Sequence, residues 1–181
     1  VTGGRGTNRA AKQARATIPI VMGFDDDPVG SGYAASLARP GGNVTGLSTL
    51  APEITGKQLE LLREIVPKLS RLAVLGNATQ PGNPQALREI TIAADAVRVQ
   101  LQYLEVRSVK DIEKAFGDAS KEHADAVLLL ASPVFLSQRK QIAELAIKAR
   151  LPTISGRPEI TEDGGLLFYG ANYNDLFRRA A

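Results

Sequence analysis

The sequence predicts an α/β protein whose parallel strands are covered by helices on both faces. Short apolar segments alternate with amphipathic, helix-like segments along almost all of the 181 residues, and such alternation is typical of strand–helix–strand units with right-handed crossovers. Two runs, 72–75 and 126–130, are apolar at every position, as expected of parallel strands buried on both sides. We therefore expect one nearly complete α/β lobe over residues 50–165 and part of a second lobe.

Residues 1–49 are predicted to form the closing part of the partial lobe and the crossover out of it. A glycine-rich turn precedes its first helix, and Pro40-Gly41-Gly42 is a strong stop signal after the second. The predicted elements are a helix over 8–16, a strand over 18–23, a helix over 29–38 and a strand over 44–48. Residues 166–181 hold a last strand over 166–169 and a helix beginning at Asn172, and we expect this segment to return to the same lobe.

The lobe over 50–165 is predicted from apolar residues spaced three and four apart, with Thr55 and Ser108 as helix N-caps. The predicted helices cover 55–66, 84–98, 109–121 and 136–149. The predicted strands cover 72–75, 101–106, 126–130 and 151–155. Residues 156–164 are polar and are predicted to be a loop.

Composition excludes several classes of function. Hydrophobic residues make up 44% of the chain and charged residues 23%, with a net charge of +3, which describes an ordinary globular protein. The basic residues are interleaved with acidic ones, and Trp is absent, so nucleic-acid binding is not expected. Cysteine is absent, which excludes disulfides, thiolate metal sites and cysteine nucleophiles.

Three adjacent carboxylates, Asp25, Asp26 and Asp27, follow the apolar strand over 18–23. Carboxylate oxygens are ligands that Mg²⁺ prefers, so one hypothesis is metal or phosphotransfer chemistry at Asp25 and Asp27. Neighbouring residues of an extended chain point to opposite faces, so at most two of the three converge. The other hypothesis is that Asp27, directly before Pro28, caps the helix predicted to begin there. Capping and ligand contact are compatible.

The segment Gly3-Gly4-Arg5-Gly6-Thr7-Asn8 leads from a strand end into a helix. Free N–H groups at such a helix start bind carboxylate or phosphate. The glycine spacing matches neither the Lys-Ser/Thr phosphate loop nor the dinucleotide fingerprint. A generic tight turn and an anion-holding turn therefore both remain open.

Polar residues recur where the predicted strands end. Parallel strands end at one edge of a sheet, where ligands of open α/β sheets bind. His123, the only histidine, lies before a strand instead, and a Gly-x-Ser-x-Gly elbow is absent, which excludes most hydrolase mechanisms. A binding cleft explains the strand-end residues better than catalysis does. They are Asp27, Asn77 with Gln80, Ser132, Arg157 with Glu159, and Tyr169.

Several longer motifs resemble a family of ABC-transporter substrate-binding proteins. The most specific is Ser36-Leu37-Ala38-Arg39-Pro40-Gly41-Gly42-Asn43-Val44-Thr45-Gly46, preceded by Asp27-Pro28-Val29-Gly30-x-Gly32. Further matches are Lys57-x-Leu59-Glu60-Leu61-Leu62-x-Glu64-x-Val66-Pro67, Ala73-Val74-Leu75-x-Asn77, 139–152 and Tyr169-Gly170-x-Asn172. The resemblance covers essentially the whole chain, and the family's better-understood members bind aromatic amino acids.

The resemblance implies a fold similar to type I periplasmic binding proteins, with two Rossmann-like, three-layer lobes closing over a ligand. It implies a binding protein without enzymatic activity, metal or cofactor, whose partners are a small molecule, with an amino acid as the expected class, and a membrane permease. It places the protein in the periplasm or on an extracytoplasmic lipid anchor, with an export signal and part of the first lobe before Val1. The implied ligand contacts are Thr2, Gly3, Gly4, Thr7 and Asp27 in the first lobe, and Asn77, Ser132, Glu159 and Tyr169 in the second and its crossover.

Two alternative functions remain open at this point, and a homodimer is expected. One alternative is a Mg²⁺-dependent phosphotransfer or sugar-modifying enzyme that uses Asp25 and Asp27. The other is an effector domain of a sensor or transcription factor built on the same two-lobe fold. We also expect an exposed sheet edge in the partial lobe to pair two copies of the chain into a homodimer.

Overall fold

A computed structural model describes residues 1–14, 17–80 and 82–181. Its contacts divide the chain into two compact units, which are described separately below. Unit 1 comprises Val1–Ala51 and Ala171–Ala181, and unit 2 comprises Pro52–Gly170. The divisions predicted from the sequence are 49/50 and 165/166. In the structure the last strand belongs to unit 2, and the segment that returns to unit 1 is Ala171–Ala181, which contains the final helix.

Strands and helices alternate along the chain. The strands are β1 (Thr2–Gly3), β2 (Ile20–Asp25), β3 (Val44–Ser48), β4 (Arg71–Gly76), β5 (Gln100–Glu105), β6 (Ala126–Leu129), β7 (Thr153–Ser155) and β8 (Leu167–Phe168). The helices are α1 (Arg5–Ala14), α2 (Thr55–Ile65), α3 (Asn83–Ala96), α4 (Val109–Lys121), α5 (Pro133–Ser137), α6 (Arg139–Ala149), α7 (Pro158–Glu162) and α8 (Tyr173–Ala180).

Unit 1 is built on a parallel sheet with the strand order β1-β2-β3. Its small core consists of Ile20, Met22, Tyr33 and Val44. Helix α8 contacts β2 and β3. A β-carbon on Gly23 would lie 2.8 Å from the ring of Phe177, so a residue without a side chain allows α8 to approach the sheet closely.

Unit 2 is a five-stranded parallel sheet with the order β5-β4-β6-β7-β8. Alternate residues of its central strands enter two separate clusters. One cluster joins Ala73, Leu75, Val127 and Leu129 to α4 and α6, and the other joins Leu72, Val74, Ala126 and Leu128 to α2 and α3. Both faces of the sheet are therefore buried under helices, which confirms the predicted α/β class and explains the continuous apolar runs.

The two predicted N-caps have different outcomes. Ser108 precedes α4 and forms a capping box with Asp111, whose carboxylate accepts the Ser108 backbone N–H at 2.9 Å and its hydroxyl at 3.1 Å. The prediction for Thr55 is wrong. Thr55 is buried as the first residue of α2, and its hydroxyl donates to the Pro52 carbonyl at 2.7 Å, so it satisfies a carbonyl of the preceding turn instead of a helix N–H.

The helix predicted over 29–38 is also wrong, since this segment consists of turns. One helical turn forms after Asp27, with the Ser31 N–H bonded to the Asp27 carbonyl at 2.9 Å. Gly32 then has φ = 70°, a left-handed conformation that ends a right-handed helix. The chain next folds back on itself, with the Ala35 N–H bonded to the Pro40 carbonyl at 2.9 Å.

The segment 156–164, predicted as a loop, contains the short helix α7. Pro158 is its first residue, where the missing N–H costs no intrahelical bond, and Ile160 is buried in the core. A single buried residue in one helical turn leaves no periodic signal in the sequence, which explains why the helix was missed.

Candidate ligand site at the strand ends

In unit 1 the glycine-rich turn lies beside the end of β2, because β1 and β2 are neighbouring parallel strands. Gly4 has φ = 80°, which favours glycine, and its N–H donates to the Phe24 carbonyl at 3.2 Å. The turn thus delivers the chain directly into α1, so the start of α1 lies at the carboxyl edge of the sheet. Free helix N–H groups at this edge suit a carboxylate or another anion.

Most of the predicted contacts in this turn already have partners inside the protein. The Thr2 hydroxyl donates to Asn8 Oδ1 at 2.7 Å. The Thr7 hydroxyl accepts the Gly3 N–H at 3.2 Å and lies 2.6 Å from the Gly3 carbonyl oxygen, to which it donates. These bonds shape the turn. The groups left at the helix start are the first-turn N–H groups of Gly6 and Thr7, which have no intrahelical acceptor, and both residues are exposed.

The three adjacent aspartates have three different roles. Asp25 is fully buried, and its carboxylate accepts Asn8 Nδ2 at 2.9 Å and the Asp27 N–H at 3.0 Å. Asp26 accepts the Thr49 hydroxyl at 2.9 Å. Asp27 accepts the Gly30 N–H at 2.8 Å, which is the contact of an N-cap, but it caps a single turn instead of the predicted helix.

This arrangement gives no support to a catalytic pair of carboxylates at Asp25 and Asp27. The Asp25 oxygens are already occupied by hydrogen-bond donors in a site closed to solvent. Among the described residues, no group of three or more His, Cys, Asp or Glu side chains is placed to hold a metal ion. Asp26 and Asp27 are both partly exposed, so Asp25 is the one member of the cluster that is closed to solvent.

In unit 2 the strand order identifies a crevice. The order β5-β4-β6-β7-β8 reverses direction between β4, the first strand of the unit, and β6, the third. Ligands of open α/β sheets bind at the carboxyl ends of the two strands that flank such a reversal. Asn77 and Ser132 follow β4 and β6, so the topology brings these two predicted residues to the crevice.

Both residues are partly engaged in shaping their own loops. Asn77 is 7% exposed, and its Oδ1 accepts the Thr79 N–H at 2.9 Å and hydroxyl at 2.7 Å. Ser132 caps α5 by accepting the Val134 N–H at 3.2 Å. A hydroxyl that accepts at its oxygen keeps its own proton for donation. Ser132 can therefore still donate to a ligand.

Arg157 and Glu159 form an ion pair beyond the end of β7. Arg157 Nη2 lies 2.8 Å from Glu159 Oε1, and Nε lies 3.2 Å from Oε2, so the contact is bidentate. Ser155 anchors this loop, because its hydroxyl donates to the Arg157 carbonyl at 2.8 Å. Paired charges of this kind offer both a cationic and an anionic group to a zwitterion.

Tyr169 follows β8 and is held through its backbone. Its N–H donates to the Ser155 carbonyl at 3.0 Å, and its carbonyl accepts Gln58 Nε2 at 2.8 Å. Gln58 is buried and was not among the predicted residues. The tyrosine side chain is 38% exposed, so the ring is presented at the edge while its backbone is fixed.

Sequence reasoning also missed a cluster at the ends of β4 and β5. The Tyr103 hydroxyl donates to Glu105 Oε2 at 3.1 Å, and Glu105 Oε1 accepts the Ala78 N–H at 3.2 Å and Arg107 Nε at 3.2 Å. Burial, followed by the bond to Glu105, raises the pKa of Tyr103 to about 12. Residues two apart on a strand share a face, and that spacing is the signal from which this pair could have been found.

The opposite edge of the unit 2 sheet carries a separate groove. It lies at the amino ends of β4 and β5 and is lined by Arg71, Leu72, Gln100, Leu101, Gln102, Glu122 and Ala124. His123 lies on this side of the sheet, where it follows α4 with φ = 55°, as expected for a residue at a helix C-terminus. The only histidine is therefore remote from the strand-end loops of unit 2.

Comparison with known proteins identifies relatives over the whole chain. The family described as ABC transporter substrate binding protein matches residues 1–181. A tyrosine-binding protein of Clostridioides difficile (strain R20291) is 25% identical over 95% of this chain, which spans about half (49%) of that protein's length. The solved structures to which this chain is similar show that it has the type I periplasmic-binding-protein fold.

Two solved structures are especially similar. A conserved domain protein from Vibrio cholerae O1 biovar El Tor superimposes with a TM-score of 0.89 at 25% identity, covering 99% of this chain and 60% of that one. A Streptococcus pneumonia ABC domain in complex with L-Trp superimposes with a TM-score of 0.88 at 20% identity, covering 98% and 61%. In the part of the chain that is described, no helix has the length and apolar character needed to cross a bilayer.

Proposed function

Because the chain belongs to the family of ABC transporter substrate-binding proteins, we propose that it binds a free amino acid and delivers it to an ABC permease. Members of this family bind small molecules outside the cytoplasm, work with such permeases and are not enzymes. The enzyme alternative at Asp25 and Asp27 is therefore withdrawn.

One observation carries the choice of ligand class. Complementary charged and dipolar groups lie at the carboxyl ends of the strands in both units. In unit 1 these are the N-terminal amides of α1 and the Asp27 carboxylate, and in unit 2 they are the paired Arg157 and Glu159. An amino acid carries a carboxylate that suits helix amides and Arg157, and an ammonium group that suits Asp27 or Glu159.

The comparisons favour an aromatic side chain on that amino acid. One relative is named for tyrosine binding, and one structural neighbour was solved with L-Trp. The partly exposed ring of Tyr169 offers an aromatic surface for such a ligand. We take L-tyrosine as the probe. The proposed contacts are Thr2, Gly3, Gly4, Thr7 and Asp27 in unit 1, and Asn77, Ser132, Glu159 and Tyr169 in unit 2.

Calorimetric titration of the purified protein with each L-amino acid tests the proposal. We expect saturable binding of L-tyrosine with one site per chain and weaker binding of acidic and basic amino acids. Glu159→Gln should reduce the affinity, whereas Glu144→Gln, a matched change on the outer part of α6, should not. Absence of binding by any amino acid, or equal affinity in both variants, would contradict the proposal.

The cellular setting follows from the same proposal. We expect export across the cytoplasmic membrane to the periplasm or to an extracytoplasmic lipid anchor, and no affinity for nucleic acid. Fractionation of cells that express the native gene, with a cytoplasmic marker as control, tests the location. Recovery in the cytoplasmic fraction would contradict it.

A second copy of the chain is the proposed partner of the unit 1 sheet edge. In the described part of the chain β1 pairs only with β2, and an outer strand of a sheet is the place where a second copy can add its own strand. Light scattering coupled to size exclusion should then find a dimer. A monomeric wild-type protein would contradict this assembly without affecting the ligand proposal.

A further inference from the structure

A buried polar bridge joins the start of α1 to the end of β2. Asn8, in the first turn of α1, is 1% exposed, and Asp25 is fully buried. Asn8 Nδ2 donates to Asp25 Oδ2 at 2.9 Å and to the Phe24 carbonyl at 3.0 Å. Breaking one partner of a buried hydrogen bond leaves the other unsatisfied. The bridge therefore fixes the start of α1 relative to the strand end beside it.

Each end of the bridge continues into a segment proposed to contact the solute. On one side, Asn8 Oδ1 accepts the Thr2 hydroxyl at 2.7 Å, which holds the strand before the glycine turn. On the other side, Asp25 Oδ1 accepts the Asp27 N–H at 3.0 Å and the Ser31 hydroxyl at 3.4 Å. The two segments are thus connected through side chains that solvent does not reach.

A second contact ties α1 to the same loop one turn further along. Lys12 Nζ donates to the Gly32 carbonyl oxygen and lies 5.6 Å from the centroid of the Tyr33 ring, within range of a cation–π interaction. Tyr33 belongs to the unit 1 core. Helix α1 and the loop after β2 are consequently held together at two points.

We infer that Asn8 and Asp25 are positioning residues for the solute site of unit 1. They do not contact the solute. They set the spacing between the N-terminal amides of α1 and the Asp27 carboxylate, the two groups proposed to meet opposite charges of one amino acid. A site held in its bound geometry loses less entropy on binding. The role as part of a solute site rests on the proposed function, while the bridge itself is independent of it.

A residue swap tests the inference. Asn8→Asp places two carboxylates face to face, and Asp25→Asn removes the charge that Asn8 meets. The double variant Asn8→Asp/Asp25→Asn reverses the hydrogen bond between the two side chains and restores the original charge. It loses the donation to the Phe24 carbonyl, so recovery should be partial. Asn174→Asp, on the exposed surface of α8, controls for added charge, and Val44→Ala, in the unit 1 core, controls for lost stability.

Two readouts separate the bridge from the ligand. Without ligand, exchange of the hydrogen-bonded amides of Gly4 and Asn8 and of Asp27 and Gly30 should rise in both single variants and partly recover in the swap. Affinity for L-tyrosine should fall about tenfold in the single variants, because binding must then also order the two segments, and should return towards wild type in the swap. Val44→Ala should lower the melting temperature without a matching loss of affinity.

The outcomes are distinct. Faster exchange confined to the segment that carries the substitution would overturn the inference, as would a folded swap that shows no recovery relative to the single variants. An affinity loss in Val44→Ala equal to that of the single variants would also overturn it, because general destabilisation would then suffice. If wild-type protein binds no amino acid but exchange changes and recovers in both segments, the proposed function fails and the bridge stands.

Discussion

Gly46 on β3 lies directly against the backbone of Met22 on β2. A β-carbon on Gly46 would lie 2.2 Å from the Met22 carbonyl oxygen, and the φ angle of Gly46 is 145°. Backbone atoms of paired strands cannot move aside as a flexible side chain can. The glycine that closes the Asn43-Val44-Thr45-Gly46 motif is thus explained by strand packing and need not touch a ligand.

Replacing Gly46 should therefore destabilise unit 1. We expect Gly46→Ala to lower the free energy of unfolding by about 2 kcal/mol or more, since overpacking and an unfavourable φ angle act together. Gly42→Ala is the matched control, because nothing lies within 4 Å of its β-carbon position, and it should change stability by less than about 0.5 kcal/mol. Urea unfolding monitored by circular dichroism measures both, and equal effects would contradict the packing argument.

Asp125 should make stability depend on acid pH. Burial alone would raise its pKa, but the Ser70 and Arg71 N–H groups and the Ser70 hydroxyl lower it below the ordinary 3.8. A carboxyl whose pKa is lower in the folded state stabilises the fold above 3.8, and this contribution disappears as pH falls through the folded pKa.

Wild-type protein should therefore lose unfolding free energy as the pH falls below 3.8, and Asp125→Asn should lose less over the same interval. Parallel urea titrations at neutral pH and at several acidic pH values give the comparison. Identical pH dependence in the two proteins would show that Asp125 has an ordinary pKa.

Tyr103 should ionise only at strongly alkaline pH. Its pKa is raised to about 12, chiefly by burial. The unfolded chain ionises near 10, so stability should fall as pH rises from 10 towards 12. Ultraviolet titration of tyrosinate in wild-type protein and in Tyr103→Phe isolates this group. Persistence of a transition near pH 12 in Tyr103→Phe would contradict the assignment.

The elements predicted correctly from the sequence are those whose formation depends on residues close together in the chain. The apolar run over 126–130 specifies a strand buried on both faces, and Ser108 with Asp111 specifies a helix start. The parts it missed depend on contacts distant in sequence. Nothing near Asp25 indicates that its carboxylate meets Asn8, 17 residues away, so three adjacent aspartates suggested a metal site although one of them is structural.

The same distinction applies to the candidate site. Strand ends are visible in the sequence, which is why Asn77, Ser132 and Glu159 were selected. Orientation is not visible, and the hydroxyls of Thr2 and Thr7 form internal bonds that shape their turn. The Tyr103–Glu105 pair was missed because both residues lie inside β5 and not in the loop that follows it.

The central claim is that a solute binds at the carboxyl ends of the strands. Amide chemical-shift mapping of the protein titrated with L-tyrosine tests this most directly. The account predicts saturable shifts at Gly6, Thr7 and Asp27 in unit 1 and at Ser132 and Glu159 in unit 2. Shifts confined to the groove around Arg71, Gln100 and Gln102 at the opposite edge, or no saturable shifts with any amino acid, would contradict it.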